Sequence, residues 1–121
     1  MTMLSKTMQA LKADTTLINM LAEGENSIYH LLSPDAGTYP VIVVSVISEV
    51  PALCYDDEEQ RKRLTVRIHV LTDNGAYTKI VKRINKIMKD IGYIRKISQE
   101  IYEDNLYIKM NDYVIDTWSD E

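Results

Sequence analysis

Residues 64–91 constrain the fold most, because they join a strand pattern to the longest helical pattern in the chain. Apolar and polar residues alternate over 64–70, which is typical of a strand with one buried face. Residues 72–75 (Thr-Asp-Asn-Gly) favour a turn and are expected to supply a helix N-cap through Asp73 or Asn74. Gly92 stands where a helix commonly ends in a left-handed residue. One stripe of the intervening helix carries the apolar residues Tyr77, Ile80, Val81, Ile84, Ile87, Met88 and Ile91.

The segment before this unit predicts two short helices and two strands. Residues 3–12 have helical spacing, and Asp14 is placed to cap a second helix over 15–22 that Gly24 ends. Residues 28–32 form a short apolar piece that suits an edge strand, and residues 33–38 favour a loop. The β-branched run 41–47 is almost wholly apolar, so it predicts a strand covered on both faces.

The remaining segments predict a loop and two more strands. Pro51 is expected to end the preceding strand, and residues 49–63 then predict a long, mobile, exposed connection between antiparallel strands. Residues 93–101 and 107–118 favour strands joined by a turn at 103–105, with a β-bulge near 111–112. The predicted fold is therefore α+β: a mostly antiparallel sheet of four to five strands. The long amphipathic helix and the short N-terminal helices pack on one face of that sheet.

Composition places the chain among ordinary globular proteins. Its 121 residues predict a single domain, 1–121, and the formal net charge of −4 argues against a general nucleic-acid binder. The single cysteine, Cys54, excludes an internal disulfide. No apolar run approaches the roughly 20 residues that span a bilayer, and the N-terminus has no signal-peptide pattern. We therefore expect a soluble cytoplasmic protein without a membrane partner.

No residue pattern predicts catalysis, a metal or a cofactor. Cys54 stands beside an acidic run that would raise its pKa, so we interpret it as an unreactive thiol. His30 and His69 are far apart in sequence and lack the clustered partners of a zinc site. The run 56–59 lacks the alternating ligands and the glycine of a calcium loop, so a solvated charge run is the simpler interpretation.

Charge is unevenly distributed, which indicates an interaction surface. Residues 79–96 carry seven basic groups and one acidic group, whereas residues 99–121 carry seven acidic groups and one basic group. The basic stripe of the predicted helix is a solvated face, a surface for an acidic partner, or a nucleic-acid surface, and we keep these alternatives open. The candidate interface residues are Asp56, Asp57, Glu58, Glu59, Arg61, Lys62, Arg63, Lys79, Lys82, Lys86, Lys89, Asp116 and Trp118.

Taken in order, three stretches resemble a known family. Residues 11–21 (Leu-Lys-Ala-Asp-Thr-Thr-Leu-Ile-Asn-Met-Leu) are similar to its opening helix with an Ala-Asp step. The segment from Ser33-Pro34 through Tyr39-Pro40 to residues 41–43 resembles the proline-led entry into its first long strand. The unit 66–91 is similar to its central strand, turn and helix. The family is that of the tail completion proteins of long-tailed bacteriophages and prophages, also called tail terminator or tail-to-head joining proteins.

This resemblance implies a structural role without catalysis. Members of the family form a ring, usually of six subunits, that caps the head-proximal end of the tail tube and joins it to the head. The implied partners are further copies of this chain, the tail tube protein and the neck or head completion proteins. DNA is a partner only where it passes through the ring. The implied location is the host bacterial cytoplasm during assembly and then the head–tail junction of the virion.

Two hypotheses follow at this stage. The acidic C-terminal segment of one copy is expected to meet the Lys79–Lys89 stripe of the next. The alternative function is a small cytoplasmic regulatory or ligand-binding α+β module, which a ligand would stabilise against unfolding. An enzyme would need a converging set of titratable groups, and the sequence shows none.

Overall fold

A five-stranded mixed sheet organises the protein in the computed structural model, which describes residues 2–31, 38–55 and 58–118. The strands are β1 (Ile28–His30), β2 (Val41–Tyr55), β3 (Glu58–Thr72), β4 (Ile94–Glu103) and β5 (Leu106–Trp118). Their order in the sheet is β1-β2-β3-β5-β4. Only the β1–β2 pairing is parallel, so the predicted α+β fold with a mostly antiparallel sheet is confirmed.

The helices pack on one face of this sheet, which we call the helix-covered face. They are α1 (Met3–Ala13), α2 (Thr15–Ile18) and α3 (Thr78–Asp90), and a short 3-10 turn covers Gly24–Ser27. The buried side of α3 consists of Ile80, Val81, Ile84, Ile87 and Met88. These side chains pack with alternate residues of the sheet: Ile42 and Val44 of β2, Leu64, Val66, Ile68 and Val70 of β3, and Tyr113 of β5. The other face carries no helix among the described residues, and we call it the bare face.

The predicted loop over residues 49–63 is wrong, because most of it is strand. β2 and β3 are 15 residues each and pair as one hairpin, from Val41 opposite Leu71 to Tyr55 opposite Glu58. Pro51 does not end β2, because β1 flanks β2 only from Ile42 to Val44. A proline whose backbone nitrogen faces the side of a strand without a neighbour removes no hydrogen bond from the sheet. Register shifts on both sides of Pro51 let the chain bend around it.

Three smaller expectations also need correction. The side chains of the 72–75 turn do not cap α3: Thr72 Oγ1 accepts from Gly75 N and Asn74 Oδ1 from Ala76 N, so the turn uses both acceptors. The helix begins only at Thr78, and its N-cap Tyr77 makes no side-chain capping bond. α2 is shorter than predicted and ends at Ile18, although Asp14 caps it as expected. The bulge lies in β4, between residues 95 and 97, and β5 pairs with β3 in unbroken register.

Two local predictions at chain reversals are confirmed. Asp104 and Asn105 both have positive φ and join β4 to β5 in a two-residue turn, which is the conformation that favours Asn and Asp. Gly92, with φ +107°, follows Ile91, which is the C-cap of α3. A Cβ at Gly92 would come within 3.2 Å of Ile115 Cδ1, so the position favours glycine for space as well as conformation.

Candidate subunit and partner interface

Five of the predicted interface residues lie along the first half of β3. Arg61, Lys62 and Arg63 stand opposite Trp118, Thr117 and Asp116 of β5, so the basic run is part of the sheet. Glu58 and Glu59 begin β3 and pair with the end of β2. Asp56 and Asp57 lie outside the described residues, and the side chain of Trp118 does too. Arg61, Lys62 and Arg63 therefore belong to a strand and not to the long loop that the sequence predicts.

The exposed side of α3 is basic, but two of its cations are held within the chain. Arg83 donates two hydrogen bonds to the Asp14 carboxylate, of 2.9 and 2.7 Å, and this pair links α3 to the cap of α2. The Arg83 hydrogen bond is the main reason that the pKa of Asp14 is lowered. Lys86 pairs with Asp90 one turn along the helix, at 3.0 Å.

The remaining lysines of α3 are the cations open to a partner. Lys79, Lys82 and Lys89 are exposed and form no ion pair within the described part of the chain. Between α2 and α3 lies an open groove of about 420 Å³, whose lining includes Met20, Lys79, Lys82 and Lys86. Basic and apolar side chains lie together in this groove, which suits an acidic protein surface that also carries an apolar side chain.

The acidic residues of β5 are neutralised by arginines of β3 on the bare face. Arg67 binds the Asp112 carboxylate with two hydrogen bonds, of 2.8 and 3.0 Å, and Asp112 is only 3% exposed. Arg63 binds Asp116 in the same way at 2.8 and 3.2 Å, and this bonding lowers the pKa of Asp116. The structure therefore brings two predicted interface residues, Arg63 and Asp116, together within one copy.

His69 lies in the middle of the bare face, opposite Val43 of β2 and Met110 of β5. The pKa of His69 is lowered, and burial is the largest cause. The charge of Arg67 lowers this pKa further, whereas the charge of Asp112 raises it. Among the described residues, no three His, Cys, Asp or Glu side chains are grouped so that they could hold a metal ion. Tyr113 is a core residue, since it is 1% exposed and its hydroxyl donates to Asn85 Oδ1.

Among the residues that the structure describes, the sheet leaves two free edges, which the sequence reasoning missed. Within this part of the chain β4 pairs only with β5, so no described strand lies along its outer side. No described strand lies along the outer side of β2 from Ser45 to Tyr55 either, because β1 pairs only with Ile42 to Val44. Seven large hydrophobic side chains are strongly exposed in the described part of the chain, and five belong to these two edges: Ile94, Ile97 and Tyr102 of β4, and Ile47 and Val50 of β2. The apolar residues of β4 do not alternate along the strand, and strand order cannot be obtained from local patterns, so the sequence carries no direct signal for these edges.

Comparisons with known proteins add one finding. No protein-family model matches the chain, and no curated protein sequence matches it. Fifteen chains of solved structures match it, and one of them belongs to the virion of a native gene transfer agent (GTA) particle. The likeness has a TM-score of 0.64 and covers 93% of this chain and 92% of that chain, at 15% sequence identity. What the two chains share is the fold. In addition, no described helix is long and apolar enough to cross a membrane.

Proposed function

We propose that this protein is a structural component of a phage-derived virion, where it completes the tail. In this role several copies form a ring on the head-proximal end of the tail tube, stop its growth and provide the surface on which the head is joined. One observation carries the proposal: the likeness to a chain of the GTA virion extends over nearly the whole length of both chains. The sequence resemblance to tail completion proteins supports the same assignment from the order of strand, turn and helix patterns.

The partners in this proposal are further copies of the chain, the tail tube protein and the neck or head completion proteins. DNA passes through the ring and is not held by it, in keeping with the net charge of −4. Assembly begins in the host bacterial cytoplasm and the finished protein stays at the head–tail junction. The function involves no catalysis, because a ring of this kind acts through complementary surfaces.

Deletion of the gene tests this function directly. The particles produced by the host are examined by electron microscopy, with the wild-type gene supplied from a plasmid as the control. Separate heads and tails, or tails of uncontrolled length, are the expected result. Normal, infectious particles would refute the tail role, and the small ligand-binding module would then become the leading hypothesis.

The basic groove on α3 is the proposed contact for an acidic neighbour. Asp112 and Asp116 already have arginine partners in their own chain, and Glu100 lies 3.8 Å from Lys109, so the other four acidic residues of the C-terminal segment are the candidates. Glu103 and Asp104 are exposed at the β4–β5 turn, and Asp120 and Glu121 lie outside the described residues. The hypothesis that this segment of one copy meets the α3 lysines of the next therefore depends on these four groups.

Reversal of one α3 charge tests this contact. Lys82→Glu is expected to weaken assembly, and the loss should be larger at low salt, where charges on exposed surfaces are less screened. Lys82 is the better choice over Lys86, because Lys86→Glu would also repel Asp90 of its own helix. Lys12→Glu makes the same change of charge on α1 and serves as the matched control. Equal assembly of both variants at every salt concentration would exclude the groove as a contact.

A further inference from the structure

The two free edges of the sheet are complementary to each other, which points to a specific contact between copies. A free strand edge presents unpaired N–H and C=O groups that can bind another strand. One edge belongs to β4 and the other to the Ser45–Tyr55 part of β2, and they lie on opposite sides of the same sheet. A contact between two different patches is heterologous, and repeated heterologous contacts produce a ring when the rotation closes.

We propose that the outer edge of β4 in one copy pairs with the free edge of β2 in the next copy, so that the sheet continues from subunit to subunit. This inference rests on the proposed ring and specifies how its subunits bind. The pairing segment of β4 is 97–103, because the bulge between residues 95 and 97 disturbs the strand before it. The occupant of each edge is a second copy of this chain.

The exposed apolar side chains support this pairing. Ile97 of β4 is 48% exposed and Val50 of β2 is 45% exposed. Their pairings with Asp112 and Arg63 place both on the bare face of the sheet. A continuous sheet would place each of these side chains next to a strand of the neighbouring copy and would reduce its exposure to water, which favours association.

The charge order indicates that the two strands run antiparallel. β4 has its basic residues, Arg95 and Lys96, at its start and its acidic residues, Glu100 and Glu103, towards its end. The end of β2 leads to the acidic run that begins β3 at Glu58. In an antiparallel pairing the basic start of β4 lies beside this acidic end, whereas a parallel pairing would place acidic residues together. In this arrangement Ser98 of one copy lies close to Cys54 of the next, because Ser98 is near the start of β4 and Cys54 is near the end of β2.

A proline at Ser98 removes one outward N–H and tests the hydrogen bonding. The two-residue turn closes between Glu103 and Leu106, and alternation from that pair directs the amides of Ser98 and Glu100 away from β5. A proline on this side leaves the β4–β5 ladder intact. Ser98→Pro is expected to weaken self-association of the purified protein about tenfold or more, as measured by sedimentation velocity. Ser98→Thr retains the N–H and should associate like the wild type.

Cross-linking identifies the two edges without relying on the proline variant. In S98C the two cysteines of the chain belong to different edge strands, residue 98 to β4 and residue 54 to β2, so a short bismaleimide linker is expected to produce a ladder of covalent dimers, trimers and higher species. S98C in a C54S background has one thiol per chain and should give dimers at most. A ladder would support the proposal. Dimers alone from the two-thiol protein, no cross-linking, or equal association of the proline and threonine variants would overturn it. The gene-deletion phenotype is scored separately, so failure of the edge pairing would not be mistaken for failure of the tail role.

Discussion

Replacement of Asn111 by leucine is expected to stabilise the protein. Asn111 is 0% exposed, and its Nδ2 and Oδ1 atoms find no hydrogen-bond partner among the described residues. It stands between Ile68 of β3 and Ser98 of β4, so its amide lies on the helix-covered face, beside the apolar core residue Ile68. A buried polar group without a partner costs about 1–3 kcal/mol, and an apolar side chain of similar size removes that cost.

The size of the effect follows from the length of the chain. We expect Asn111→Leu to raise the free energy of unfolding by about 1–3 kcal/mol. For 121 residues the melting temperature should increase by about 4 °C per kcal/mol. Urea unfolding and calorimetry of the purified protein measure both quantities, and an unchanged m-value would show that the unfolded state is not affected.

A matched variant checks the physical reason. Asn111→Asp places a carboxylate in the same apolar surroundings, so it should be strongly destabilising at neutral pH and less so in acid, where the group is neutral. A loss of more than about 1 kcal/mol in Asn111→Leu would refute the reasoning, because it would mean that the amide is hydrogen-bonded after all, for example by a buried water.

Three further predictions concern the ion pairs and the half-buried His69. Arg67→Gln should cost about 2 kcal/mol of unfolding free energy in urea titrations, because it leaves the buried Asp112 carboxylate without its charged partner; a change below about 0.5 kcal/mol would contradict this. The pKa of Asp14 is lowered in the folded protein, so its ionised form stabilises the fold at pH values above the ordinary pKa of 3.8. This stability is lost as the pH falls through the folded-state pKa, and Asp14→Asn should therefore flatten the acid limb of a stability–pH curve. The pKa of His69 is also lowered in the folded protein, so the unfolded chain takes up a proton first as the pH falls below 6.5, and the free energy of unfolding decreases there. His69→Gln should remove this dependence of stability on pH, and an unchanged dependence would exclude His69 as its source.

Short-range patterns predicted a large part of the fold correctly. The alternation in 64–70 lies within β3, the apolar stripe after Tyr77 is the buried side of α3, and Asp14 caps α2. Each of these features depends on residues within a few positions of one another, where side-chain periodicity and backbone capping are decisive. The turn at Asp104 and Asn105 belongs to the same class, because its backbone conformation favours those residue types.

The candidate interface was only partly predictable, because it depends on residues that are distant in sequence. Arg83 stands on a helix face that the sequence predicts to be solvated, yet it binds Asp14, 69 residues away. Arg63 and Asp116 were both expected to face a partner, and the β3–β5 register places them opposite each other. That the exposed lysines of α3 contact another subunit stays a prediction.

By itself, the sequence determined that residues 64–70 form a strand, that α3 is a helix, that the chain reverses at 103–105 and that the fold is α+β, because these features follow from local periodicity and conformational preference. Only the tertiary structure decided that residues 49–63 form a hairpin, which acidic residues are already paired, and which strand edges remain open. Pro51 and the dense charge of residues 56–63 argue locally against a strand. In the folded protein, Pro51 lies where no described strand flanks β2 on its outer side, and the charged start of β3 pairs with β5. The physical reason is that strand order and ion pairing are set by contacts between segments far apart in the chain, which local patterns do not encode.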